Sequence, residues 1–363
     1  MTAPTLISAE ERDALRESVG DLLRKRSDPA AVRAAIGSTP RMDRELWSTL
    51  CNDIGIAALP IPDEHGGAGA SFVESAVVLE QLGATLSPVP ALSTALATAT
   101  VLIADDAAAT DRLLPAIASG EQIVTVAWAD SSGWRRPGVR AEAGLLSGTA
   151  HFVTDAEAAG TILVLAAGTD GTTLHEVDTR ADGVTVTPLP TVDPTRPLSR
   201  VDFDDTPATT IPAPDDLTDR LRTHAFALLS AEQVGGARRA LELTVDHTTS
   251  RVQFGRTIGS FQALKHRMAD MFAAVETSAS ISAAAVEAVV VGRSDASELA
   301  AAAHVHCSES FSRVTGDAIQ LHGGIGITWE HDIQLYFKRA HGSSQFFGQP
   351  HEVVRSLSRT VLA

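Results

Sequence analysis

"RVQFGRTIGSFQALKHRMADM", Arg251 to Met271, is the stretch on which the reading of this chain turns. Helical apolar spacing leads up to it, breaks at "FGRTIG", and resumes at Gln262 on a new amphipathic run. An interrupted helix exposes backbone donors and acceptors that need partners. Arg251 stands on one side of the break with a planar fork suited to phosphate oxygens. Gln262 stands on the other, offering both a donor and an acceptor. Two readings fit these residues: a helix-loop-helix corner with a surface arginine and a packing Phe254, or an elbow that holds an anion.

A second constellation follows at "IQLHGGIGITWEHDIQLYFKRA", Ile319 to Ala340. A long helix is expected to finish at His322, with Gly323 and Gly324 where a left-handed C-terminal residue belongs. The same glycines, lacking side chains, would also let backbone approach a bulky ligand. Taken singly, neither segment chooses between its two readings.

Outward from these landmarks the chain has three textures. From Ser8 to about Gly120 it is helical. "SAEERDALRESVG" opens like a capped helix, "DRELWSTLCNDIGI" gives a second and "FVESAVVLEQLGATL" a third. From about Gln122 to Pro207, short β-branched runs such as "QIVTVAWAD" and "GTILVLAA" alternate with Gly, Asp and Pro, the pattern of an antiparallel β unit. From Asp215 onward helix returns: Asp215 to about Ser250, Gln262 to about Gly292, Ser294 to about His322, and a short helix after Pro350. Such long helices joined by short elbows predict a bundle. The expected fold class is α+β, in three domains: residues 1–121 helical, 122–212 the central antiparallel β-domain, 213–363 a four-helix bundle.

Composition narrows the function. The 363 residues are 44% hydrophobic and 20% charged, with a formal net charge of −16. That balance argues against nucleic acid or an anionic membrane as the main partner. Two cysteines, Cys51 and Cys307, make no disulfide framework and no Cys-x-x-Cys metal spacing. The acidic start "MTAPTLISAEERDALRESVG" is unlike a signal peptide, and "LSTALATATVLIA" and "AAAVEAVVV" are short of a membrane span. A cytoplasmic protein is expected.

Together, "RVQFGRTIGSFQALKHRMADM" and "QLHGGIGIT" in this order and spacing resemble the acyl-CoA dehydrogenase family. The likeness extends over nearly the whole chain, through "LWSTLCNDIGIAALPIPDEHGGAGASFVESAVVLEQLGATLSPVP" and "LSGTAHFVTDAEAAGTILVLA". It implies FAD, bound across a subunit boundary. Arg251, Gln262 and the segment Gln320, Leu321, His322, Gly323, Gly324 would hold the pyrophosphate and adenosine of a neighbour's FAD. Phe152, Val153 and Thr154 match the stretch that contacts the flavin ring, though the same trio reads equally as an ordinary strand end. The resemblance further implies an acyl-CoA substrate dehydrogenated at its α,β bond. It implies a homo- or hetero-tetramer with a related subunit, and an electron-transfer flavoprotein as a candidate outlet for the electrons.

The catalytic base is where this chain departs from the pattern. Proton removal α to a thioester needs a poised carboxylate. Relatives place it at one of two positions, which correspond here to Phe347, just before Gly348, and to Ala225, roughly seven turns before the elbow. Neither accepts a proton. His224, Glu232, Glu330 and His331 lie nearby but suit interhelical or structural roles better, so the catalytic residue is left unassigned. A second departure is "AWADSSGWRRPGVR" after the first strand. There Asp130 and Ser131 could substitute for the family's flavin-contacting loop, but Trp134, Arg135 and Arg136 are unexpected. The two arginines suit either a CoA phosphate or a solvated loop. Retaining the neighbour-facing groups without a base is similar to family members, known from actinobacteria and steroid or sterol side-chain breakdown, that are built of two unlike subunits. A homo-oligomer with a relocated base and a flavin-free structural subunit stay open as alternatives.

Overall fold

The computed structural model describes residues 7–361, so the first six residues of the acidic opening and the last two of the expected bundle lie outside it. The N-terminal part holds α1 (Ala9–Arg26), α2 (Pro29–Ile36), α3 (Arg44–Thr49), α4 (Phe72–Thr85), α5 (Ala91–Ala104) and α6 (Ala107–Ala118). Local chemistry sets the starts. Ser8 and Glu11 form a capping box on α1, Ser71 and Glu74 another on α4, and Asp28 caps α2 ahead of Pro29. The apolar run at α5 is a helix buried on almost every side, packed between the sheet and the bundle.

Eight strands follow: β1 (Val124–Ala127), β2 (Val139–Glu142), β3 (Leu145–Thr154), β4 (Thr161–Ala167), β5 (Thr172–Asp178), β6 (Val184–Pro188), β7 (Leu198–Pro207) and β8 (Thr209–Ile211). They form one sheet in the order β6-β7-β3-β2-β4-β5-β8, with β1 also paired to β4. Most neighbours are antiparallel, as expected, but β1 and β2 run parallel to β4. β4 sits at the centre, buried on both faces, which explains its unbroken apolar text.

The chain then enters α7 (Leu217–Ser250), a small hairpin of β9 (Val252–Gln253) and β10 (Arg256–Thr257), α8 (Gln262–Val290), α9 (Ala296–His322), α10 (Ile333–Ser343) and α11 (Pro350–Val361). α10 was not anticipated: its apolar positions are interrupted by Gln334, Lys338 and Arg339, of which Gln334 and Arg339 are buried. The run "AAAVEAVVV" forms the end of α8, a helix long and apolar enough to cross a membrane, which here packs between α7 and α9.

Two features weld the parts together. α4 crosses α7 at Gly83 and Gly235, where an added Cβ would lie 2.1 Å from the Glu232 carbonyl and 1.8 Å from the Glu80 carbonyl respectively. Beside the crossing, Arg339 donates to Asp193 at 2.6 Å, Thr195 at 2.6 Å and Glu232 at 2.7 Å, and Arg196 also pairs with Glu232. All five residues are buried. Such a network survives burial only because each charge is compensated.

Candidate functional site

The elbow begins where α7 runs out. Arg251 donates its backbone N–H to His247 at 2.9 Å, and its carbonyl accepts from Ile258 at 2.9 Å, closing a loop around β9 and β10. Phe254 and Gly255 both take positive φ (53° and 76°) at the tip, as a two-residue hairpin requires. Phe254 is 91% exposed. Arg256 lies over the Phe261 ring at 3.9 Å. Arg251 is exposed, and among the described residues no carboxylate pairs with its guanidinium. Gln262, the first residue of α8, is also exposed.

At the end of α9, Gly323 takes φ 64° and ψ −145°, a conformation open only to glycine. Gly326 is held by packing, since a Cβ there would lie 3.0 Å from that of His322. Gly324 has neither constraint: its φ is ordinary and an added Cβ would meet nothing. Among the described residues, no contact accounts for a glycine at that position. Gln320 is exposed, whereas Leu321 and His322 are buried, so any contact from Leu321 to a ligand is through its backbone.

Three histidines join the two segments, of which His247 was missed in the sequence. His247, near the end of α7, stacks on His322 with ring centroids 4.5 Å apart. His331 stands 4.5 Å from His322 on the other side. Burial depresses all three imidazoles, with His322 pushed down to about 4. Arg251, Gln262, Gln320, Gly323 and Gly324 thus present donors, a cation and bare backbone at one end of the bundle. Chemically, that set could hold a phosphorylated nucleotide.

Phe152, Val153 and Thr154 lie elsewhere, at the end of β3 beside a cleft of about 1140 Å³ between the sheet and the bundle. Phe152 lines it in a left-handed conformation (φ 55°), Val153 is buried in the sheet core, and Thr154 is half-buried. Phe226 on α7 lines the same cleft, whereas Arg251 follows the far end of that helix, roughly 37 Å further along at 1.5 Å per residue. The elbow and the cleft therefore stand toward opposite ends of α7.

The two positions that the resemblance aligns with a base both hold apolar side chains. Ala225 is fully buried, and Phe347, with φ 62°, lies against Trp128 and Trp134. The other candidates are occupied. His224 donates from Nδ1 to the Arg220 carbonyl (2.9 Å) and meets Phe72 edge-on. Burial opposes the charge of Glu232, but Arg196 and Arg339 keep its carboxyl below the ordinary range. Glu330 is exposed outside the cleft, and His331 belongs to the imidazole stack. In the loop after β1, burial works against the Asp130 charge. Hydrogen bonds from Ser132 and Arg136 nevertheless hold its carboxyl at about 2. Arg135 pairs with Glu352 of α11 at 3.0 Å across the cleft mouth.

Asp155, also missed, directly follows the Phe152–Thr154 stretch. Its carboxyl accepts from Ser93 at 2.6 Å, and burial raises it to about 6. His304 donates from Nε2 to the Gly348 carbonyl (2.9 Å) and stacks on Phe226 at 4.4 Å. Burial pushes it down to about 4. Neither carries a spacing signal in the sequence.

Comparison with known proteins agrees with this architecture. Residues 9–121 match the acyl-CoA dehydrogenase N-terminal domain and residues 223–360 the C-terminal domain of the same family. Acyl-CoA dehydrogenase IpdE2 of Mycolicibacterium smegmatis is 43% identical over 353 residues, covering 97% of this chain and 99% of its own. The Tcur3481-Tcur3483 steroid ACAD, solved as a variant, superposes with a TM-score of 0.90 at 29% identity, covering 97% of this chain and 98% of its own. The ChsE4-ChsE5 complex from Mycobacterium tuberculosis gives 0.91 at 27% identity, with 98% of each chain covered. This chain belongs to the acyl-CoA dehydrogenase family, flavoprotein oxidoreductases that carry FAD and act on CH–CH bonds.

Proposed function

We propose that this chain is the base-free subunit of a heteromeric, FAD-dependent acyl-CoA dehydrogenase, working in the cytoplasm with a related, base-bearing partner. The observation that carries the reading is a contrast within one molecule. Both base positions hold hydrocarbon, Phe347 and Ala225, while Arg251 stands exposed and uncompensated at the elbow. That guanidinium stands at the same end of the bundle as the bare glycine backbone after α9, since His247 stacks on His322.

On this reading Arg251 grips the pyrophosphate of the partner's FAD. Gln262 and Gln320 offer amide hydrogen bonds, and the Gly323–Gly324 backbone lies against the adenosine portion. FAD, when bound, supplies the two-electron acceptor for α,β-dehydrogenation of a CoA thioester; the partner supplies the carboxylate that takes the α proton. The roughly 37 Å of α7 that separates Phe226 from Arg251 is the physical reason for a shared site. Two solved relatives carry paired names, and one is called a steroid ACAD, which favours a steroid-derived acyl group over a simple fatty acyl chain. A tetramer of two unlike pairs, with an electron-transfer flavoprotein as oxidant, completes the proposal.

Co-expression with a base-bearing relative tests it. The pair is expected to be yellow and to turn over acyl-CoA, and this chain alone to be inactive. Arg251→Ala should weaken FAD retention by the pair. Loss of one charge-assisted contact costs about 1.5–3 kcal/mol, roughly 10- to 150-fold in affinity. Turnover by this chain alone would instead establish a relocated base. A colourless chain that changes no partner's flavin content would establish a structural role.

A further inference from the structure

We infer that His247 is a second cation of the elbow, one that arrives with the ligand: neutral in the free chain, its imidazole takes up a proton from solvent when a phosphate settles on Arg251. This rests on the reading of Arg251 as a phosphate contact, and adds to it a residue and a dependence on pH. Arg251 follows His247 by four positions, and its backbone N–H closes the last turn of α7 on the His247 carbonyl at 2.9 Å. Side chains so spaced are neighbours at a helix end. The guanidinium is near enough for its charge to oppose a proton on the ring.

The ring has a packing role and no polar one. It lies half-buried on the His322 ring, centroids 4.5 Å apart. His322 commits Nδ1 to the Ala318 carbonyl, and His331 accepts from the Ile333 N–H through Nδ1 at 3.1 Å. Among the described residues, no group hydrogen-bonds to either ring nitrogen of His247.

The surroundings hold that ring neutral as the chain stands. Burial comes first, then His331 after the glycine turn and Arg251 on the elbow. His322 faces it from α9, and His331 is itself flanked by Arg33 of α2 and Asp332, which pair with each other. Among the described residues, the one histidine paired with a carboxylate is His65, with Asp111, so no anion answers a charge on His247. A phosphate on Arg251 reverses the sum. Its charge offsets the guanidinium that opposed the proton and attracts the proton directly, as do the unpaired carbonyls ending α7. Proton and phosphate then help each other to bind, so affinity rises as pH falls.

ADP-ribose is the probe. It carries adenosine and pyrophosphate without a flavin, and both its phosphates are esterified, so their charge is constant where imidazoles titrate. The full-length chain, carbon-13-labelled at histidine Cε1, is titrated with acid in the presence and absence of ADP-ribose, and the His247 resonance is identified by its loss in His247→Gln. Saturation is expected to raise the proton affinity of His247 about tenfold or more. The parent should bind ADP-ribose roughly three- to tenfold more tightly at about pH 5.5 than at about pH 8. His247→Phe, which keeps a stacked ring that cannot be charged, should bind equally at both. Saturable binding with an unmoved His247 resonance overturns the inference and leaves the elbow reading standing, whereas no saturable binding overturns both. Should neither variant fold, calorimetry of the parent in two buffers of unlike ionisation heat decides: proton uptake on binding supports the inference, and none overturns it.

Discussion

The imidazole of His247 lies on that of His322, centroids 4.5 Å and planes 25° apart, and through this stack the elbow after α7 and the glycine turn after α9 become one surface. His322 Nδ1 donates to the Ala318 carbonyl at 2.7 Å, while its Nε2 is buried with no partner. Burial, with the neighbouring His331 and His247 rings, opposes a second proton more than the Ala318 and Leu243 carbonyls favour it. The stack is therefore built for neutral rings.

Acid should loosen the fold accordingly. His322 and His304 are both pushed from 6.5 down to about 4 by burial. The unfolded chain binds these protons first, so their contribution is intact above pH 6.5 and drains away as pH falls toward 4. The loss is up to about 1.4 kcal/mol per pH unit for each ring. Melting temperatures across that window should decline, and the His322→Phe/His304→Phe double variant should flatten the decline. An unchanged slope in that variant would refute the assignment.

Asp155 should act with the opposite sign. Burial raises its carboxyl from 3.8 to about 6. Its contribution is complete at acid pH and is lost as pH climbs through about 6. Asp155→Asn keeps an acceptor for Ser93 and removes the titration. At pH 8 the variant should equal or exceed the parent in thermal stability, and at pH 4 any advantage should vanish. A marked loss at pH 8 would show that the carboxylate is needed ionised.

Glu232 compensates two buried guanidiniums at once. Truncation to Ala leaves Arg196 and Arg339 sharing fewer acceptors in a dry interior, at a cost of about 3–5 kcal/mol. Urea unfolding of Glu232→Ala should show that deficit. A change below about 1 kcal/mol would mean the pair behaves like an exposed one.

Two glycines should separate packing from ligand approach. Gly235→Ala drives a methyl into the Glu80 carbonyl and should cost about 3 kcal/mol or more. Gly324→Ala meets nothing and should stay within about 0.5 kcal/mol of the parent, yet lower the flavin content of the assembled pair. Chemical denaturation and the visible-to-ultraviolet absorbance ratio measure the two effects independently.

Much of the architecture was legible because it is written in local chemistry. Ser8 with Glu11 and Ser71 with Glu74 mark helix starts within four residues, and the glycines at 323–324 mark an end. That Phe347 and Ala225 are not carboxylates is plain in the sequence, while it is the resemblance alone that marks those two positions as ones for a base. Other features depend on where distant segments meet. Nothing local to β1 or β4 announces that they pair in parallel. His247 and His322 are 75 positions apart and stack only because α7 and α9 end side by side. Trp134 could be noticed as unexpected text, but not which way it points, since that follows from the turn at Gly133 and from Arg222 of α7, which donates to the Trp134 carbonyl.

The contact of α4 with α7 at Gly83 and Gly235 carries a consequence for traffic through the cleft. Backbones that touch leave no slack for sliding, and the buried Arg339–Glu232 pair bolts the same junction, so the helical wall cannot swing. Breathing must come from the sheet side, where the Arg135–Glu352 clasp is the tie that spans the mouth. An exposed pair of that kind is weak and is screened by salt. Exchange of whatever the cleft holds should therefore quicken as ionic strength rises.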